Sequence, residues 1–275
     1  MKIGILSNFT ENEGTNQMFL REFSKLKHSP SVIYLQETYL HEGTFIFKNE
    51  DIAKFDYILF ASIASDIKKA VTISQYLKDK NIRYFDNNLL EVRYAINKIY
   101  DSYKIKAANL PFPKTYQNPL DSNIEYPVII KKINSTQGKG VFLIKNQNEM
   151  KNFFSREEIK RYIIQEYIAY EHDLRIFKIG DNKLFAMERT PKKGEFRANY
   201  HMGATVSKFE INEEIKTLSK KAGNATKSII AGVDILVSKG KYYIIEVNRS
   251  PGLGGISKAT GVNIAKEIVE YCLSI

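Results

Sequence analysis

The sequence predicts an α/β layer over its first ninety residues and an α+β arrangement over the remainder. Two observations lead to this fold class. Strand-like and helical segments alternate up to about residue 90, which is typical of a parallel sheet with crossover helices. Beyond that point strand-like segments come first and amphipathic helices follow, which favours α+β. A chain of 275 residues, of which 43% are hydrophobic, can bury a substantial core.

The predicted elements of the first part follow one another in alternating order. Apolar, β-branched stretches indicate strands, and apolar positions spaced by about 3.6 residues indicate helices. The predicted strands are 2–6, 31–35, 57–61 and 82–85, and the predicted helices are 17–26 and 67–77. The loop after the first strand contains a single glycine, Gly14, so it lacks the G-x-G-x-x-G pattern of a dinucleotide site.

A long helical pattern at residues 89–110 links this part to the second. Pro111 and Pro113 end it, because proline cannot continue a helix. Further strands are predicted at 127–132, 141–144, 162–167, 183–188 and 235–247, the last one broken by a turn at Lys239 and Gly240. Two amphipathic helices, at 212–229 and 264–273, close the chain.

The formal net charge of +10 raises the question of a nucleic-acid partner. The lysines are spread along the whole chain and no block of five or six basic residues occurs, which argues against that partner. A solvated lysine-rich surface explains the charge, and a basic site for an acidic substrate is the alternative.

The remaining composition limits the class of protein further. No segment approaches the roughly 20 apolar residues that cross a bilayer, so we expect no membrane partner. A single cysteine, Cys272, excludes an internal disulfide framework and favours a cytoplasmic protein. The four histidines are scattered, which argues against a His/Cys zinc site. A homo-oligomer is left open.

The segment E-V-N-R-S-P-G-L-G-G, residues 246–255, indicates metal chemistry. Side chains alternate along a strand, so Glu246 and Asn248 share one face and offer oxygen ligands to a hard divalent cation. A polar strand end before a turn explains the same residues equally well. The preceding strand begins near Asp234, and a hairpin of this length would place Asp234 close to Glu246. Together the three residues predict an all-oxygen magnesium site.

Three further segments combine residues suited to binding a phosphorylated ligand. Residues 128–141 form a strand, a polar turn with two glycines and a second strand, without the pattern of a P-loop. Residues 164–175 join a strand to a polar linker, and residues 188–203 hold two of the nine arginines. Taken alone, each segment is also explained by an ordinary hairpin, edge strand or solvated loop.

In this order and spacing, the motifs resemble those of the ATP-grasp ligases. The similarity is to the RimK-like branch, which includes the ribosomal-protein glutamate ligase and the lysine-biosynthesis carrier-protein ligases, and it covers about residues 97–275. It rests on Asn97-Lys98, Ile130-Lys131, Thr136-Gln137-Gly138, Gln165-Glu166-Tyr167-Ile168, Asp173-Leu174-Arg175, Phe196-Arg197-Ala198-Asn199, Val233-Asp234-Ile235-Leu236, Glu246-Val247-Asn248 and Ser250-Pro251-Gly252-Leu253.

The resemblance implies the ATP-grasp fold in three parts. These are an α/β pre-grasp domain at residues 1–90 and two α+β lobes that grip ATP between them. The central lobe, residues 91–168, would carry the phosphate loop, and the C-terminal lobe, residues 169–275, would carry the metal site.

The resemblance also implies an ATP site. Lys98 and Lys131 would contact the phosphates, the linker 166–168 would hold adenine, and Asp173 would lie on the ribose side. The full implied set of nucleotide-binding residues is Lys98, Lys131, Thr136, Gly138, Glu166, Tyr167, Ile168, Asp173, Arg197, Ala198 and Asn199.

The implied reaction is an ADP-forming ligation of a carboxylate to an amine through an acyl phosphate. Arg189 and Arg197 would act on the transferred phosphoryl group. Two magnesium ions, or manganese in their place, would be held by Asp234, Glu246 and Asn248. The alternative is a nucleotide-binding protein that keeps this architecture without ligase turnover.

Several positions depart from the ribosomal-protein glutamate ligase on the side where the acceptor binds. Thr190, Met202 and Ala204 stand where that enzyme has arginine, arginine and glycine, and Arg249 replaces a small residue. The substrates therefore stay open. Because arginines gather here, we expect an acidic amino acid or an acidic peptide, contacted by Arg249 and Ser250.

Overall fold

The computed structural model describes residues 1–90, 97–135, 140–191 and 204–275. The strands are β1 (Lys2–Ser7), β2 (Ser29–Tyr34), β3 (Tyr39–His41), β4 (Thr44–Phe47), β5 (Glu50–Asp51), β6 (Tyr57–Phe60), β7 (Arg83–Phe85), β8 (Thr115–Tyr116), β9 (Val128–Lys132), β10 (Val141–Ile144), β11 (Tyr162–Glu166), β12 (His172–Ile179), β13 (Lys183–Thr190), β14 (Thr205–Lys208), β15 (Ile230–Ser238) and β16 (Lys241–Asn248). The helices are α1 (Gly14–Lys25), α2 (Ile67–Asp79), α3 (Lys98–Ala107), α4 (Gln147–Phe154), α5 (Glu213–Ala225), α6 (Leu253–Thr260) and α7 (Ile264–Ser274).

The chain forms two compact units, of which the first combines Met1–Ala95 with Arg249–Ile275. Its main sheet has the strand order β2-β1-β6-β7, and every neighbouring pair is parallel. This confirms the predicted α/β layer. Helix α7 packs against α1, so the end of the chain completes the unit that its beginning starts.

The described residues of the second unit, Ile96–Asn248, form two antiparallel sheets. One has the order β10-β9-β11-β8, and the other has the order β14-β13-β12-β15-β16. One face of the five-stranded sheet packs on α5, where Leu174 and Val233 meet Ile215 and Ala222 in one core. The expected α+β arrangement is therefore confirmed. The proposed division of the chain at residues 90 and 168 stays a prediction.

Most predicted strands and helices are present within one to three residues of their expected ends. The helical pattern at 89–110 corresponds to a short 3₁₀ turn at Asn87–Leu90 and to α3, and residues 91–96 lie outside the described part. The elements that were not expected from the sequence are β8, β12, β14, α4, α6 and the small antiparallel sheet β3-β4-β5. The longest helices described have 13 residues, and none combines the length and apolar character that crossing a bilayer requires.

Candidate active site

Two neighbouring strands bring Asp234 and Glu246 side by side. β15 and β16 are antiparallel, and Asp234 lies directly opposite Glu246, as the hairpin length predicted. Val233 and Ile235 point into the core on the helix side, so Asp234 points to the other face of the sheet. We call this second face the open face.

A β-bulge turns Glu246 and Asn248 toward the open face. The pairing between β15 and β16 shifts by one residue next to Asp234. Ile244 and Val247 are three residues apart, yet both lie in the core on the helix side. In a regular strand Glu246 and Asn248 would share the face of Ile244 and would point into that core. The extra residue therefore places both oxygen-bearing side chains beside Asp234.

Four buried or nearly buried side chains of alternating charge lie on the open face. Arg175 donates from Nε to Oδ1 of Asp234 at 2.7 Å and from Nη2 to Oδ2 at 2.8 Å. Arg189 donates from Nε to Oδ1 of Asp173 at 2.7 Å, and its Nη2 contacts the same oxygen. The same Nη2 lies 3.2 Å from Oδ2 of Asp234. We call Asp173, Arg175, Arg189 and Asp234 the charge quartet.

Strand register explains how the charge quartet forms. Asp173 is directly opposite Arg189 on β13, and Arg175 is directly opposite Asp234 on β15. Burial raises the pKa of Asp173 to about 6, although Arg189 opposes the shift. Burial also favours a raised pKa for Asp234, but the guanidinium groups of Arg175 and Arg189 have the larger effect. The pKa of the Asp234 carboxyl is therefore lowered. Asp234 therefore stays ionised and available as a ligand at neutral pH.

Two lysines add positive charge beside these carboxylates. Lys131 lies on β9 and is half-buried. Burial lowers its pKa to about 8, although Glu246 and Asp234 attract its proton, and the charge of Lys98 lowers the pKa further. Lys98, at the start of α3, donates from Nζ to the carbonyl of Ser135 at 2.5 Å. Both lysines thus lie next to the described end of the predicted phosphate loop.

The predicted adenine linker follows β11. The carboxylate of Glu166 accepts from the backbone N–H of Lys114 at 3.1 Å, and the Glu166 N–H donates back to the Lys114 carbonyl. Tyr167 and Ile168 come next and are half-buried.

Arg249 and Ser250 belong to the first unit, at the point where the chain returns to it. The Arg249 side chain donates from Nη1 to Oδ2 of Asp86 at 3.0 Å. Burial raises the pKa of Asp86, although Arg249 opposes the shift. Ser250 donates from Oγ to the carbonyl of Ala61 at 3.0 Å. Arg249 therefore already has an anionic partner, which reduces the surplus positive charge expected at this point.

Five predicted site residues fall outside the part of the chain that the structure describes. They are Thr136, Gly138, Arg197, Ala198 and Asn199.

The described donors fit a hard divalent cation. Asp234 and Glu246 are adjacent on the open face, and Asn248 points to the same side. They supply oxygen only, which is what magnesium binds, and substrate phosphate and water would complete the coordination. Over the described ranges, no cluster of three His, Cys, Asp or Glu residues is placed to hold a metal ion, so the candidate set is two carboxylates and one amide.

Sequence reasoning missed the roles of Arg175 and Asp86. Arg175 was part of a recognised motif, but no function was inferred for it. The sequence did contain a signal for Arg175. Polar and apolar residues alternate in H-D-L-R-I-F-K-I, which places Asp173 and Arg175 on one face of a strand. No comparable signal marks Asp86, which lies 163 residues before its partner.

Comparison with known proteins agrees with this geometry. The model of the RimK-like ATP-grasp domain matches residues 111–272. A probable alpha-L-glutamate ligase of Picosynechococcus sp. is 30% identical over 288 aligned positions, covering 98% of this chain and 95% of that one. A protein of the same name in Legionella pneumophila is 36% identical over 149 positions, covering 53% of this chain and 49% of that one.

Solved structures share the fold over nearly the whole chain. The ATP-grasp ligase PsnB, complexed with minimal precursor, has a TM-score of 0.76 at 15% identity and covers 99% of this chain and 97% of that one. The D-alanine–D-alanine ligase of Bacillus anthracis, complexed with ATP, has a TM-score of 0.71 at 19% identity and covers 100% of this chain and 97% of that one. The resemblance inferred from the motifs is therefore confirmed, and the chain belongs to the RimK-like ATP-grasp family and is an ATP-dependent ligase.

Proposed function

We propose that this ligase joins an amine to a carboxylate through an acyl phosphate, with glutamate as one substrate. The observation that carries the proposal is the alignment of Asp234 with Glu246 on the open face, with Lys131 and Lys98 beside them. Glutamate is favoured because relatives named probable alpha-L-glutamate ligase match nearly the full chain.

The proposed reaction has two displacements. A carboxylate oxygen attacks the γ-phosphorus of ATP, the bond from that phosphorus to the bridging oxygen breaks, and ADP leaves. The amine then attacks the acyl carbon, the carbon–oxygen bond to phosphate breaks, and the amine loses a proton as the amide forms.

The charges of this chain suit both displacements. Lys131 and Lys98 would bind the phosphate oxygens of ATP. Arg189, held by Asp173, and Arg197 would stabilise the negative charge that grows on the transferred phosphoryl group. On the nucleoside side, adenine would be held by the linker of Glu166, Tyr167 and Ile168, and Asp173 would lie near the ribose.

Asp234, Glu246 and Asn248 would hold two magnesium ions. When bound, these ions neutralise phosphate oxygens during the transfer. The charge quartet keeps Asp234 ionised in preparation for this role.

The proposed turnover is tested by ADP release. Purified protein is incubated with ATP and magnesium, together with an amine, a carboxylate or both. ADP should form only when both are present, with one amide bond in the mass spectrum for each ADP. No ADP in any of the mixtures would favour a protein that binds nucleotide without ligase turnover, and ADP release that is equally fast without either partner would indicate hydrolysis of ATP instead of ligation.

We expect the KM for ATP to rise as the pH increases through about 8. Lys131 is protonated below its pKa of about 8 and neutral above it, so its attraction for phosphate is lost on the alkaline side. The KM should climb by up to about tenfold per pH unit there, which initial rates from roughly pH 7 to pH 9 will measure. Lys131→Arg keeps its charge and should flatten the profile. An equally flat profile in the unmodified protein would remove Lys131 from the phosphate site.

We propose that Arg249 and Ser250 contact the acidic substrate. A guanidinium has five N–H donors, so its bond to Asp86 can orient Arg249 toward a substrate carboxylate. Arg249→Ala should therefore raise the KM for glutamate by about tenfold or more and leave the KM for ATP within a factor of about two. Lys183→Ala, a change on β13 in the other unit, serves as the control. If Arg249→Ala raises the KM for ATP and leaves the KM for glutamate unchanged, Arg249 does not contact the amino-acid substrate.

A further inference from the structure

Arg175 is the member of the charge quartet for which neither the family resemblance nor the proposed reaction supplies a role. Its side chain is 15% exposed and forms two bonds, of 2.7 and 2.8 Å, with the two oxygens of Asp234. Such a paired contact fixes the plane of a carboxylate, whereas a single bond leaves it free to rotate. The strands beneath are hydrogen-bonded neighbours, so the backbone on both sides of the contact is fixed as well.

The position of Asp234 suggests what this orientation serves. Arg175 lies opposite Asp234 on one neighbouring strand, and Glu246 lies opposite Asp234 on the other. An ionised carboxylate has about four lone-pair sites, so Asp234 can accept two bonds from Arg175 and one from Arg189 and still have a site for a cation. We propose that Arg175 is a positioning residue that orients the Asp234 carboxylate for the metal, an inference that rests on the metal site of the proposed function.

Charge neutralisation alone does not account for Arg175. Arg189 already provides a guanidinium 3.2 Å from Oδ2 of Asp234. A second cation reduces the attraction of the site for a metal ion, since like charges repel. What Arg175 adds is the fork geometry, which lysine cannot reproduce. Groups that orient metal ligands in this way commonly contribute about 10–100-fold to metal affinity.

The test measures the Kd of Mn²⁺ in the presence of ADP, from the electron paramagnetic resonance signal of free Mn²⁺. Arg175→Lys keeps the charge and loses the fork, so we expect it to weaken Mn²⁺ binding by about tenfold or more, and Arg175→Met to weaken it at least as much. Turnover of Arg175→Lys at saturating Mn²⁺ should recover to within a few-fold of the unmodified protein. Arg161→Lys is the matched control, because Arg161 pairs with Glu158 at 2.8 Å on the surface and should leave the Kd unchanged.

Three other outcomes would contradict the proposal. If Arg175→Lys binds Mn²⁺ as the unmodified protein does, a positive charge is sufficient and orientation is not the role. If Arg175→Met binds Mn²⁺ more tightly, Arg175 is only a competing cation. Asp234→Asn separates this proposal from the one on which it rests. If Asp234→Asn leaves the Kd of Mn²⁺ unchanged, both the metal site and the proposed role of Arg175 are wrong. If Asp234→Asn weakens Mn²⁺ binding and Arg175→Lys does not, only the proposed role of Arg175 is wrong.

Discussion

Glu246→Gln is expected to lower ligase turnover by roughly 100-fold or more with little change in folding. Glu246 is half-buried on the open face and lies opposite Asp234, so its charge is one of two that the divalent ions need. Glutamine keeps the size of the side chain and removes that charge. Asp234→Asn should reduce turnover at least as much, but it also removes the carboxylate that pairs with Arg175 and one of the two that contact Arg189, so it should lower stability.

Glu188→Gln is the matched control for this prediction. Glu188 lies on β13 of the same sheet, and its Oε1 is 2.7 Å from Nδ1 of His172. It precedes Arg189, so its side chain points to the face opposite the charge quartet. ADP formation by Glu188→Gln should stay within a few-fold of the unmodified protein. If Glu246→Gln matches that control at all Mg²⁺ concentrations, the metal assignment is wrong.

Arg189→Met is expected to destabilise the second unit strongly, by about 3–5 kcal/mol. Arg189 is 4% exposed and contacts both Asp173 and Asp234, which are themselves buried. Removing it leaves Asp173 without the guanidinium that offsets its burial. Turnover should fall as well, because the proposed contact with the transferred phosphoryl group is lost.

Urea unfolding of Arg189→Met and Arg161→Met compares a buried pair with an exposed one. Arg161 and Glu158 are about half exposed, and such surface pairs contribute little to stability. We expect a clearly lower midpoint for Arg189→Met and an unchanged midpoint for Arg161→Met. Equal midpoints would mean that the charge quartet does not hold the sheet together, and the proposed support of Asp234 by its neighbours would lose its basis.

The sequence was sufficient for those parts of the fold and site that depend on local pattern. Alternation of strands and helices predicted the parallel sheet, and hairpin length predicted the approach of Asp234 to Glu246. Both features are encoded within short stretches of chain. The match of motif order to a family then supplied residue roles, which still stand as proposals.

What the sequence did not show depends on contacts between distant segments. Alternation on β12 placed Asp173 and Arg175 on one face, but only the register with β13 and β15 shows which charges they meet. The bulge that turns Glu246 to the open face is a single extra residue without a glycine to mark it. The pairing of Arg249 with Asp86 requires the chain to return to the first unit, which no local pattern indicates.

The most direct test of the ligase chemistry follows oxygen atoms from substrate to phosphate. The protein is incubated with ATP, magnesium and a mixture of amino acids and acidic peptides whose carboxyl groups carry ¹⁸O. Because the attacking carboxylate oxygen stays on phosphorus when the amine displaces phosphate, we expect one ¹⁸O atom in each phosphate released, together with ADP and an amide product. Phosphate without ¹⁸O, formed alongside ADP, would show that water attacks ATP and would contradict the acyl-phosphate mechanism.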